Sequence, residues 1–210
     1  MPVEPFPHAK QAIAIARNAL EAAVQGKTYR LPRDVPPELT SRRAGVFLTL
    51  VKNGKLRACW GTLEPQHRHI AEEIVASARG VLTRDTRFPP LRADEIDRVR
   101  IILTIVISPP QPTSPARIRP REHGVLVRSG NRSAVVLPHE GRTVRRMLTL
   151  ARQKARIREG EAVDVYVFRV VTIEEPTPPK PLRSPAVPAP PPPAGHAERP
   201  LSEAPLARGW

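Results

Sequence analysis

The chain has one cysteine, Cys59, in 210 residues. That excludes an intramolecular disulfide, and it excludes zinc or iron–sulfur centres built from several cysteines of one chain. Aromatic residues are scarce at 4%, so a core must be assembled from Val, Ile, Leu and Ala. Long apolar runs are missing as well. No stretch is long enough to cross a bilayer, and the opening MPVEPFPHAK lacks an apolar segment of signal length. These features read as a soluble, cytoplasmic protein without a membrane partner. The sequence also has no glycine-rich phosphate loop and no serine-centred nucleophile elbow, which removes two large classes of enzyme.

Proline and positive charge are plentiful. The 27 prolines crowd toward the end, from Pro176 onward, in PPKPLRSPAVPAPPPPAGHAERP. Such a segment cannot bury a core. Residues 176–210 are expected to form a disordered tail with polyproline-like stretches, either a ligand for a proline-reading partner or a plain extension. Residues 1–175 are expected to form one domain. The net charge is +14, which favours encounters with nucleic acid, phosphorylated ligands or an acidic protein, or else reflects a solvated arginine-rich surface.

Apolar periodicity orders the domain. HAKQAIAIARNALEAAVQG sets Ile13, Ala16, Leu20, Ala23 and Val24 at helical spacing, with Gly26 as a C-terminal cap. In GVFLTLVKNGKLRACW, Asn53-Gly54 between two apolar runs predicts a two-residue type I′ hairpin. An unbroken register then pairs Val51 with Leu56, Thr49 with Ala58 and Phe47 with Trp60 on one face, and Leu50 with Arg57 and Leu48 with Cys59 on the other. A helix follows with Ile70, Ile74, Ser77, Ala78 and Val81 inward. After a proline-bounded turn and a short helix comes RIILTIVIS, read as a central strand. The loop PPQPTSPARIRPREHG reads as irregular, and VLVRSGNRSAVVL as a second hairpin turning at Gly130-Asn131. RTVRRMLTLARQKARI is a basic amphipathic helix, and EAVDVYVFRVVTI the last strand. The class is α+β, with a mostly antiparallel sheet flanked by helices.

The stretches GVFLTL, NGKLRACWGTLEP, DTRFPPL, SPPQP, REHGVLVRSGNRSAVVLP and VDVYVFRV occur in an order similar to that of the AMMECR domain family. The resemblance spans roughly residues 9–175. It implies a two-part α+β domain and carries no settled activity. Members often stand beside, or fused to, a Memo-like protein and a radical S-adenosylmethionine enzyme, so the resemblance implies a component of a modification pathway acting with those partners. It implies no particular cofactor. The family motif usually reads Leu-Arg-Gly-Cys-Ile-Gly. Ala58 and Trp60 depart from it here, while Arg57, Cys59 and Gly61 agree. A second cysteine that the later helix often carries is replaced by Ala151.

The candidate chemistry centres on LRACWGTLEP. Cys59 as a nucleophile needs a depressed pKa and access. Arg57 would favour the thiolate, His123 in REHG would serve as base, and Glu64 would orient that base or take a proton, a set suited to acyl or alkyl transfer. The competing reading makes Cys59 a small buried residue. Arg57, Gly61, Thr62, Glu64 and Arg87 also suit an anion-binding rim, with Gly61 allowing close approach of a ligand, or an internal Arg–Glu pair that holds the hairpin to DTRFPPL. His67 and His69 are poorly spaced for a metal and read as a solvated helix start. The basic helix, with Arg145, Arg146, Arg152 and Lys154, carries the alternative of a non-catalytic adaptor that follows an RNA backbone or an acidic partner. No paired-aromatic RNA motif accompanies it.

Overall fold

The computed structural model describes residues 6–176; the tail anticipated from Pro176 therefore lies almost wholly outside the described residues. Helix α1 (Ala9–Val24) buries Ala12, Ile13, Ile15, Ala16, Ala19 and Leu20. It ends as Gly26 predicts. That glycine takes φ 68°, while the N–H groups of Gly26 and Lys27 donate to the carbonyls of Ala23 and Ala22, satisfying the last turn. A short helix α2 (Pro37–Thr40) interrupts the proline-rich connection that follows.

Strands β1 (Val46–Lys52) and β2 (Lys55–Gly61) form the first hairpin. Its turn has Asn53 at φ 52° and Gly54 at φ 74°, the two positive values a type I′ turn requires. The expected register survives next to the turn, at Lys52–Lys55 and Val51–Leu56. Beyond it Leu50 pairs with Ala58, Thr49 with Cys59, Leu48 with Trp60 and Phe47 with Gly61. Arg57 is the extra residue of a β-bulge, which re-aims its side chain and shifts every later pair by one. Cys59 accordingly opposes Thr49, not Leu48, and Trp60 opposes Leu48.

Helix α3 (Ile70–Thr83) buries all five residues expected to face inward, together with Glu73. It starts at His69, whose Nδ1 accepts from the Glu72 N–H, so this histidine is a helix cap. Strand β3 (Val99–Val106) is central, lying between β1 and the last strand. The loop after it contains a two-residue strand β4 (Gln111–Pro112) that periodicity did not reveal. Strands β5 (His123–Ser129) and β6 (Arg132–Val136) form the second hairpin. Helix α4 (Val144–Ala155) and strand β7 (Asp164–Glu174) complete the fold.

All pairings are antiparallel, in the order β2-β1-β3-β7-β5-β6, with β4 also against β7. The long β7 joins two halves: its second half pairs with β3, and its first half runs between β4 and β5. Alternation along β7 assigns the faces. Val171 and Ile173 meet α1, α3 and the first hairpin, whereas Val165 and Val167 meet α4 and the second hairpin. On the opposite face Phe168 and Val170 join Phe47, Val106, Leu126 and Leu137, a smaller core that ties the two halves together. Thr49 and Cys59, out of step with Leu48 and Ala58 in the helix-covered core, belong to this second face.

Candidate functional site

The Cys59 backbone is held firmly. Its N–H donates to Asp85 Oδ2 at 2.7 Å, and its carbonyl accepts from Arg87 at 3.3 Å. Asp85 has a side chain only 2% exposed and also takes Arg87 Nε at 2.8 Å. Burial pushes the Asp85 carboxyl up, but bonds from the Arg87 guanidinium and the Cys59 N–H more than reverse this and leave it below its usual range.

The thiol lies next to a chain of polar groups. Thr49 Oγ1 is 3.2 Å from Cys59 Sγ and 3.5 Å from His139 Nε2. His139 sits in a single 3-10 turn, Pro138–Glu140, between β6 and α4. Its Nδ1 is buried and has no partner among the described residues. Glu140 anchors this turn, since its carboxylate accepts from the Leu137 N–H at 2.8 Å and from Lys154 Nζ at 2.6 Å. Lys154 also donates to the Val135 carbonyl. Burial raises the Cys59 pKa, against which the Thr49 hydrogen bond and the charges of Lys154 and Arg87 act, while Glu140 reinforces the rise. Burial lowers the His139 pKa. The resting pair is thus a neutral thiol and a neutral imidazole able to accept a proton. Outside His139 a depression of ≈ 370 Å³ opens, bordered by Gly141, Arg142, Thr143 and Arg146.

The residues named from sequence do not form one cluster. Cys59 and Arg87 meet, as described. Arg57 instead forms an internal pair: Nε and an NH2 group grip both oxygens of Glu95 at 3.1 and 2.8 Å, and the guanidinium also reaches the carbonyls of Pro89 and Pro90. Lys52 Nζ adds a third bond to Glu95 at 2.7 Å. This is the Arg–Glu pair that holds the hairpin to DTRFPPL, with Glu95 as the acid and not Glu64. Gly61 admits a neighbouring strand, not a ligand: a Cβ there would collide with the Val46 carbonyl and the Phe47 backbone. Thr62 Oγ1 donates to buried Glu73 at 3.4 Å, and Glu64 is exposed, offering its carbonyl to Gln66.

His123 does not reach the cysteine. It shares the strand face of Val125 and Val127, which pack beneath α4, whereas Thr49 and Cys59 belong to the opposite face, that of Leu126 and Phe168. Its Nδ1 accepts from the Arg119 N–H at 3.2 Å, and burial lowers its pKa. The histidine beside the Thr49–Cys59 pair is His139. Among the basic residues of α4, Arg152 is spent on the carbonyls of Arg158 and Glu161 and Lys154 on Glu140. Arg145 and Arg146 remain exposed. Trp60, one of the departures from the usual motif, lies against Gly80 of α3, where any Cβ would strike the indole, and Arg84 stacks over its ring at 5.6 Å.

The AMMECR1 family model matches residues 13–173. The chain belongs to the AMMECR1 family. A Thermotoga maritima protein is 38% identical over 78% of this chain and 95% of its own length, and a Nanoarchaeum equitans protein is 30% identical over 77% and 97%. The crystal structure of an uncharacterized protein from Pyrococcus horikoshii superposes with a TM-score of 0.71 at 27% identity, covering 81% of this chain and 92% of that one. Thr49, Cys59, Asp85 and His139 all fall within the span matched by the AMMECR1 family. Among the described residues no helix is long and apolar enough to cross a membrane.

Proposed function

We propose that this AMMECR1 domain is a component of a modification pathway in which Cys59 accepts an acyl or alkyl group, with Thr49 and His139 removing its proton. The observation that carries the reading is the position of the Thr49 hydroxyl between Cys59 Sγ and His139 Nε2. A hydroxyl both donates and accepts. In the working orientation the thiol gives its proton to Thr49 while Thr49 gives its own to Nε2. Sulfur then attacks the electrophilic carbon, and the leaving group departs with the proton now on His139. Arg142 and Arg146, at the border of the depression outside His139, suit an anionic group on the donor. Asp85 and Arg87 keep the Cys59 backbone fixed while this happens. The resemblance to domains found beside a Memo-like protein and a radical S-adenosylmethionine enzyme supports placing the transfer in such a pathway, with those proteins as partners.

Intact-mass spectrometry after incubation with a small acyl thioester tests the chemistry. One acyl adduct on Cys59, absent in Cys59→Ala and formed more slowly in His139→Asn, supports the reading. Equal labelling of wild type and His139→Asn contradicts the role of the imidazole.

A further inference from the structure

A second surface lies on the far side of the first hairpin. Two depressions of ≈ 530 and ≈ 600 Å³ share His67, Arg68 and Glu72 at the start of α3, so they adjoin across this segment as two parts of one groove. Arg43 borders one end. Tyr29, Arg30, Leu31, Val75, Ala76 and Arg79 line the other. Four arginines, at 30, 43, 68 and 79, thus face a single carboxylate, Glu72, already bound to Arg68. Arg30 and Arg79 are exposed, and neither makes a side-chain hydrogen bond among the described residues.

The groove is built before any partner arrives. The buried Glu73 carboxylate accepts the N–H groups of Gln66 and His67 and the Thr62 hydroxyl, and the Ile70 N–H donates to the Arg42 carbonyl at 3.0 Å. These bonds fix the segment that forms the shared wall, which lowers the ordering cost of binding.

We infer that this groove docks an acidic, leucine-bearing peptide segment of a partner protein. The arginine rim supplies charge complementarity for carboxylates. Leu31, Val75 and Ala76, all half-buried, supply an aliphatic floor for apolar side chains between them. A nucleic-acid strand fits less well, because strand binding rests on successive aromatic platforms and, with His69 spent on capping α3, the groove offers only Tyr29 and His67. The inference is independent of the chemistry at Cys59.

Fluorescence anisotropy with the full chain tests it, using a short labelled peptide in which glutamates flank two leucines. The controls are the same peptide with serines for leucines and a uridine oligonucleotide of equal charge. The leucine peptide should bind, with affinity falling about tenfold or more in the double variant Arg30→Glu/Arg79→Glu, because each reversal replaces an attraction by a repulsion. The milder pair Arg30→Gln/Arg79→Gln should fall between the two. Serine substitution should also weaken binding. Circular dichroism of both variants should match wild type, since these side chains hold nothing internally. Absence of binding, equal binding of the serine peptide, tighter binding of the oligonucleotide, or indifference to the arginine variants each overturns the inference.

Discussion

Replacing Glu95 by Gln removes the hub of the Arg57 network. The Glu95 side chain is 11% exposed and that of Arg57 12%, and the carboxylate accepts from Arg57, Lys52 and the Arg92 N–H. Glutamine keeps the shape but leaves two cations without a counter-charge and turns an N–H toward existing donors. Breaking a fully buried pair costs about 3–5 kcal/mol; with the residual exposure here, about 2–4 kcal/mol is expected. With a urea slope of about 2 kcal/mol/M, the middle of the usual range, the midpoint should fall by about 1–2 M at an unchanged slope. The effect has a pH signature. Hydrogen bonds from Arg57 and Lys52 hold the folded carboxyl far below its ordinary value. The unfolded chain therefore binds the proton first as pH falls, and stability declines with it. The gap between wild type and variant should be constant above about pH 5 and shrink below the unfolded glutamate value of about 4.3. Equal midpoints at pH 7, or a gap that widens in acid, would refute the assignment of Glu95 as the hub.

Gly61→Ala should destabilise by about 1–3 kcal/mol or more, because the added methyl must push β1 away; a melting temperature equal to wild type would sink that claim. Asn53→Ala should cost about 1 kcal/mol at the positive-φ turn position, while Asn53→Gly should be nearly neutral, as read by urea unfolding. Asp85→Asn should loosen the backbone at Cys59, seen as faster exchange of the Cys59 amide hydrogen; unchanged protection there would show that the 2.7 Å bond contributes nothing.

Local chemistry made much of the fold legible. Asn53-Gly54 announced its turn, Gly26 its cap, and the almost continuously apolar run from Ile101 to Ile107 its central place in the sheet. The bulge at Arg57 was not legible, because the partner that receives the re-aimed side chain, Glu95, stands 38 residues later. Glu95 itself reads as a surface acid in ADEIDR. Strand β4 is two residues long and contains a proline, so no periodicity can expose it. At the site, Cys59 and Arg87 were visible from their own stretch, but His139 was not. Its sequence, LPHEG, reads as a loop, and only the packing of Leu137 with Phe47 and Phe168 across the sheet brings that loop over Thr49. Thr49 carried one signal, as the polar residue in the otherwise apolar run Val46–Val51.

The relay from Cys59 through Thr49 to His139 is tested most directly by the pH dependence of native-state alkylation of Cys59 with iodoacetamide, a small uncharged reagent. Wild type should show two limbs: a plateau near neutral pH, where neutral His139 takes the proton, and a rise at high pH, where the thiol ionises unaided. Because burial lowers the His139 pKa, the plateau should begin below the ordinary imidazole value of about 6.5. Thr49→Val and His139→Asn should each remove the plateau, slowing the reaction at pH 7 by about a hundredfold, and leave the alkaline limb in place. A single alkaline limb, identical in wild type and both variants, would contradict the account and make Cys59 a buried residue of the sheet with no chemistry of its own.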